Sequence, residues 1–162
     1  GFGFPAALGA KIGNPDKSVI CITGDGGFQM NMQEMATAVT ENAPVIVCLL
    51  NNQYLGMVRQ MQQLFYGKRY EATCLRKRVT CPANCKGKNE ACPPYLPDFM
   101  QFAKSYGAHG IRVEREEEIA AALKEARSYT DAPTIIEFLI SSDELVLPMV
   151  QGGNPMNKMI LK

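Results

Sequence analysis

Ser18-Val-Ile-Cys-Ile-Thr-Gly-Asp-Gly-Gly27 and, about one helix later, Val45-Ile-Val-Cys-Leu-Leu-Asn-Asn52 decide the fold of this chain. Each is a short, β-branched apolar run without polar alternation, which is how a parallel strand covered on both faces reads. Each stops abruptly at polar residues. Between them Met32, Met35, Ala36 and Val39 recur at helical spacing. Asn31 followed by Glu34 predicts a capping box, so a helix is expected to start shortly after the glycines and to point its amide-rich end back toward Asp25. Strand, helix and strand make one βαβ unit. Its right-handed crossover makes the strands parallel and brings Asp25 and Asn52 out at the same edge of the sheet.

That edge is where open α/β sheets bind ligands. Asp25 and Asn52 offer hard oxygen ligands, which suit Mg²⁺, a cation that keeps phosphate oxygens in its shell. Gly26 and Gly27 let the backbone come close to an anion. Gly24-Asp-Gly-Gly27 alone is more often a tight turn, and Asn51-Asn52 alone a common loop pair. Both together, each ending a buried strand, read as a magnesium–diphosphate site.

The rest of the chain completes an α/β domain. A first helix is predicted from Pro5 to Gly13, with Leu8 and Ile12 on one face. Residues 56–66 read as a helix whose polar side carries Arg59, Gln60 and Gln63. Phe99, Phe102, Ala103 and Tyr106 form a helical stripe ended by Gly107, and 111–113 is a short strand. Residues 116–129 predict an amphipathic helix with Ile119 and Leu123 inward, before a buried strand over 134–140. From Leu145 a Pro- and Gly-punctuated tail is expected to lie over the sheet edge. The fold class is therefore an open, mostly parallel sheet with helices on both faces. Residues 1–147 form the domain, 73–94 a Cys-rich insertion and 148–162 a tail.

With 162 residues, 46% of them apolar, the chain can bury a core without a staple. A net charge of +1 provides no field for nucleic acid or an acidic membrane. No leader segment and no membrane-length apolar run is present, so a cytoplasmic location is expected.

The polar residues of the two decisive stretches resemble the thiamine-diphosphate-binding signature, which opens with Gly-Asp-Gly and closes with Asn-Asn. The likeness narrows further. Gly1-Phe-Gly-Phe-Pro-Ala-Ala-Leu-Gly-Ala10, Gly24-Asp-Gly-Gly-Phe-Gln-Met-Asn-Met-Gln-Glu34, Asn51-Asn-Gln-Tyr-Leu-Gly-Met-Val-Arg59 and Leu64-Phe-Tyr-Gly-Lys-Arg-Tyr70 are similar to the carboxy-terminal domain of the acetolactate synthase (acetohydroxyacid synthase) catalytic subunit. The similarity runs from Gly1 to about Leu161 and is interrupted over 73–94. Because Gly1 already lies inside a family motif, the chain is expected to be part of a longer polypeptide.

The resemblance implies a transferase that decarboxylates pyruvate on thiamine diphosphate and joins the two-carbon unit to a second 2-oxo acid, pyruvate or 2-oxobutyrate, on the route to valine, leucine and isoleucine. It implies Mg²⁺ held by Asp25, the Asn52 side chain and the Tyr54 main-chain carbonyl. Gly24, Gly26 and Gly27 belong to the cofactor turn, with the Gly26 and Gly27 amides on the diphosphate. Met57 matches a position lining the reaction pocket, and equally reads as a methionine filling core space. The glutamate that activates the cofactor comes, in the family, from another domain of a neighbouring subunit. No catalytic residue is therefore assigned here, and this chain alone is expected to be inactive. The resemblance further implies a homo-oligomer with shared active sites, and leaves open a regulatory subunit and a flavin site, FAD, in the missing part.

Two departures stand out. Where the family carries a tryptophan that shapes the pocket for the second 2-oxo acid, this chain has Met61, and it contains no Trp at all. Where the family has a short connection, Cys74, Cys81, Cys85 and Cys92 lie in a basic stretch with almost nothing apolar. Four thiols match a structural Zn²⁺ site, although their spacing is looser than the usual close pairs. A disulfide pair, unliganded thiols and an iron–sulfur cluster are the other readings. Cys21 and Cys48, inside apolar strands, read as core residues. His109 reads as an ordinary loop residue, Arg76-Lys-Arg78 as a solvated run, and Glu116-Glu-Glu118 as an acidic helix start. Two further functional readings remain: a 2-oxo-acid:ferredoxin oxidoreductase subunit, and a non-catalytic metal- or redox-sensing module on the same fold.

Overall fold

The computed structural model describes residues 1–82, 85 and 90–161. Four parallel strands, β1 (Ile20–Gly24), β2 (Ile46–Asn51), β3 (His109–Val113) and β4 (Thr134–Leu139), lie in the order β1-β2-β4-β3. The two central strands are the most apolar and the most buried, whereas β1 and β3 alternate, as strands at an edge do. The expected fold class is the observed one.

On one face α1 (Gly3–Gly13), α2 (Asp25–Gln29), α3 (Met35–Thr40) and α5 (Phe99–Ser105) pack around Phe28, which sits within 5.2–6.0 Å of the rings of Phe4, Phe99 and Phe102. On the other face α6 (Ile119–Ser128) covers Ile46, Cys48 and Ile136. Its fully buried positions are Ala122 and Ala126, with Ile119 and Leu123 packed at their flank. Small residues at the contact let the helix axis approach the sheet. α4 (Gly56–Phe65) leaves the carboxyl end of β2.

Several local expectations need correction. The helix after β1 begins at Asp25 itself and is broken into α2, a 3₁₀ turn over Met32–Glu34 and α3. Asn31 does not cap it. The Asn31 amide donates to the Gly1 carbonyl at 2.8 Å instead, and the Glu34 carboxylate accepts from the Thr37 hydroxyl at 2.9 Å. Ile12 is 58% exposed, because α1 buries the Phe4, Ala7 and Leu8 side. Arg59 and Gln60, expected on a solvated face of α4, are only 6% and 3% exposed. The tail ends in a two-stranded antiparallel ribbon of β5 (Met149–Val150) and β6 (Met159–Ile160). It is tied to α4, where the Gln60 side chain accepts from the Val146 amide at 2.7 Å and donates to the Val146 carbonyl at 3.1 Å. Among the described residues no helix is long and apolar enough to cross a membrane.

Candidate active site

β1 and β2 run side by side, with Gly24 in register with Leu50, so their carboxyl ends place Asp25 and Asn52 against one cavity of about 490 Å³. Gly24, Gly26, Gly27, Tyr54 and Met57 line the same cavity. Met61 does not. It lies one turn further along α4 on the Met57 side, partly exposed. Ser141, just after β4, and Leu145 and Val146 at the start of the tail line the cavity too.

Asp25 is almost completely buried and closely held. One carboxylate oxygen accepts from the Gln53 amide at 3.1 Å and from the Tyr95 hydroxyl at 2.8 Å, and that hydroxyl in turn accepts from the Gln29 amide at 2.7 Å. Burial pushes the Asp25 carboxyl above the usual carboxylate range, opposed by the Tyr95 hydroxyl and by backbone amides including those of Gly26 and Gln53. A carboxylate that protein burial makes costly in its charged form is one that a nearby cation would favour. Tyr95 is pushed up for the matching reason, burial followed by the Asp25 charge.

The turn after β2 is built by side chains. Asn52 Oδ1 accepts from the Tyr54 amide at 2.9 Å, and Asn51 Oδ1 accepts from the Gln53 amide at 3.1 Å. Gln53 takes a left-handed φ of 67°. Asn51 also donates to Glu137 at 2.6 Å, and Glu137 accepts from Arg112 at 2.8 Å, so β2, β4 and β3 are cross-linked beneath the turn. Among the described residues no hydrogen bond reaches the Tyr54 carbonyl. Asn52 Oδ1 keeps a second lone pair. A carboxylate at the end of β1, an amide oxygen and an unengaged main-chain carbonyl, the last two in the turn after β2, form a hard donor set that fits Mg²⁺.

The glycines are sterically pinned. A Cβ at Gly26 would stand 2.8 Å from Leu55 Cδ2 and 3.4 Å from Leu75 Cδ1, and one at Gly27 would stand 3.3 Å from Thr23 Oγ1. α2 has only five residues, so individual N–H groups and not a macrodipole are what it offers an anion.

Family comparison agrees with this geometry. The model of the thiamine pyrophosphate enzyme C-terminal TPP binding domain matches residues 1–138. The chain belongs to that family. As a thiamine-diphosphate-binding domain it is 44% identical over 154 residues to the acetolactate synthase large subunit of Corynebacterium glutamicum, covering 95% of this chain and 22% of that protein. It is 44% identical to the probable acetolactate synthase large subunit of Methanococcus aeolicus over 99% of this chain and 23% of the relative. The acetolactate synthase large subunit of Haemophilus influenzae is 40% identical over 99% of this chain and 25% of the relative. The thiamine diphosphate-dependent 4-hydroxybenzoylformate decarboxylase of Rhodococcus jostii RHA1 superposes with a TM-score of 0.67 and 29% identity, covering 89% of this chain and 24% of that one. The domain thus spans roughly a quarter of the length of these relatives, 22–25%.

All four cysteines of the insertion line a second cavity, of about 40 Å³, together with Tyr54 and Thr73. None of the six cysteines forms a disulfide. As the side chains stand, no group of three or more His, Cys, Asp or Glu among the described residues is placed to hold a metal. His109 lies away from both cavities, opening β3 with its ring 3.0 Å from Asp131 and stacked on Tyr129.

Sequence reasoning missed Tyr95, Gln53 and Gln60. Tyr95 lies 70 residues from its Asp25 partner in a proline-flanked loop, where no periodic signal exists. Gln60 is buried by its bonds to Val146, 86 residues away, and the helical period of α4 alone puts it on a solvated face.

Proposed function

We propose that this domain is the cofactor-binding part of an acetolactate synthase catalytic subunit. The observation that carries the proposal is that Asp25, Asn52 and Tyr54 line one cavity at the carboxyl ends of β1 and β2, in a chain so similar to acetolactate synthase large subunits. Asp25, Asn52 and the Tyr54 carbonyl hold Mg²⁺, and the turn from Gly24 to Gly27 receives the diphosphate. When bound, thiamine diphosphate supplies the carbanion chemistry that decarboxylates pyruvate and joins the two-carbon unit to pyruvate or 2-oxobutyrate. The chain's own residues bind, orient and exclude water. Tyr95 and the Gln53 amide fix the Asp25 carboxylate, Met57 supports the cofactor, Met61 borders the acceptor side, and Leu145 and Val146 close the rim. The activating glutamate comes from a neighbouring subunit of a homo-oligomer. A regulatory subunit and any flavin bind outside this domain, and the enzyme works in the cytoplasm.

The test is Asp25→Ala in the full-length protein. Thiamine diphosphate titrated calorimetrically with and without Mg²⁺ should bind the variant about 100-fold or more weakly, with the Mg²⁺ dependence gone. Unchanged affinity would remove Asp25 from the metal.

A further inference from the structure

Nothing in the proposed reaction uses the insertion, yet the fold gathers its four thiols at one place. Cys74, Cys81, Cys85 and Cys92 share a cavity of about 40 Å³, which holds an ion or a few waters and no organic cofactor. The described residues of the stretch contribute nothing to the buried core. Val79 is fully exposed, and polar contacts hold the two arms together. Arg76 donates to the Pro93 carbonyl at 2.6 and 2.8 Å, and Arg78 to the Pro94 carbonyl at 3.3 Å. Such a stretch gains little apolar burial to offset its ordering entropy.

The surroundings offer second contacts and countercharge to a metal-bound sulfur. The Arg78 amide donates to the Cys81 sulfur at 3.2 Å, a contact of the kind that orients a ligand from outside its coordination shell. Arg76 and Lys77 line the cavity and put positive charge beside it, against the net charge of −2 that a divalent ion in four thiolates would carry.

We propose that Cys74, Cys81, Cys85 and Cys92 bind one Zn²⁺ as a tetrathiolate, and that this metal braces the cofactor loop through Tyr54. The sulfurs already line the cavity, and side-chain rotation about the ion draws them into its shell as their protons leave. Tyr54 pairs with Cys74 in an antiparallel bridge, flanked by Leu55 N–H to the Thr73 carbonyl at 2.8 Å and Leu75 N–H to the Gln53 carbonyl at 3.0 Å. Arg76 further donates to the Gln53 side chain at 2.9 Å. The root of the insertion is thus bridged directly to the turn whose Tyr54 the proposed function assigns to Mg²⁺. The bracing rests on that assignment, while the zinc site does not.

The test uses the full-length protein, purified under reducing conditions without chelator. Elemental analysis should find about one zinc per chain, and exchange for Co²⁺ should give the visible absorption of a tetrahedral thiolate site. A Cys81→Ser, Cys85→Ser double variant should lose both signals and still bind thiamine diphosphate with Mg²⁺, about 3- to 10-fold more weakly. If that variant does not fold, stripping zinc from the wild type with a thiophilic chelator should produce the same loss of affinity. Absence of zinc and of a Co²⁺ spectrum, iron with visible colour, disulfides in the native protein, or zinc retained by the variant would each overturn the site. Zinc bound stoichiometrically with cofactor affinity indifferent to its removal would overturn the bracing. Metal content is read without the cofactor, so failure of the Asp25 assignment leaves the zinc result legible.

Discussion

Tyr54 separates two cavities of opposite chemistry. On one side lies a roomy cleft of about 490 Å³ with oxygen donors and glycine backbone, and on the other a space of about 40 Å³ walled by sulfur. The cleft is positioned by the core. Asp25 and Asn52 sit where they do because β1 and β2 are buried parallel neighbours, and no local interaction is needed to bring them together. The thiol cavity is positioned by hydrogen bonds from Arg76 and Arg78 and by one β-bridge. A site built on strand ends inherits the rigidity of the sheet, whereas one built from a loop needs a ligand of its own to be equally well defined.

Three measurements would sharpen or break this contrast. The largest effect is expected at Tyr95, which lies just beyond the insertion yet bonds the carboxylate on the other side. Tyr95→Phe removes one donor to Asp25 without opening a cavity, and Mg²⁺-dependent cofactor binding should weaken by about 10- to 100-fold. If titration finds no change, the two cavities are more independent than the Tyr95 contact implies.

A smaller effect is expected at Met61, on the α4 side that carries Met57. Met61→Trp should shift the ratio of products formed from 2-oxobutyrate and pyruvate in direct competition by about 3-fold, since selectivity is a difference in transition-state binding. Identical ratios would put Met61 outside the acceptor pocket and restrict the cleft to the residues that line it within one chain.

The smallest effect separates thiols in the core from thiols in the loop. Burial raises the Cys21 and Cys48 thiols above the ordinary range. The folded state therefore keeps their protons where the unfolded chain, with thiols near pH 8.5, gives them up, and stability should fall as pH rises beyond that point. Comparing melting temperatures between about pH 8 and about pH 10, the Cys21→Ala, Cys48→Ala variant should show a slightly shallower fall than the wild type. Parallel curves would assign the alkaline slope to other groups.

The parts of the molecule legible in the sequence are those that buried strands determine. Continuous apolar runs located β1, β2 and β4, and the polar residues ending the first two located the cleft, because a parallel sheet converts sequence pattern directly into a shared edge. What escaped were contacts decided by a partner far along the chain. Asn31 and Glu34 have the spacing of a cap, but the Gly1 carbonyl and Thr37 compete for them. Arg59 and Gln60 look solvated by period alone, yet Asp143, just after β4, and Val146 of the tail bond them, with Arg59 held at 2.7 Å from Asp143. Four cysteines could be counted in the sequence, but their convergence on one cavity depends on Arg76 and Arg78 bonding the far arm.

The order of the sheet also sets a timetable. β2 lies between β1, already synthesised, and β4, which follows it by about half the length of the chain, with Ile46 opposite Thr134. Asn51, which helps shape the turn that presents Asn52, completes its own bonding only with Glu137, 86 residues later. Pairing over such a separation is slow, because the loop must close before any contact rewards it. During synthesis the thiol-bearing segment therefore leaves the ribosome before the strand that finishes the cofactor edge, and the oxygen site can be completed only after the sulfur-rich loop is already free to fold.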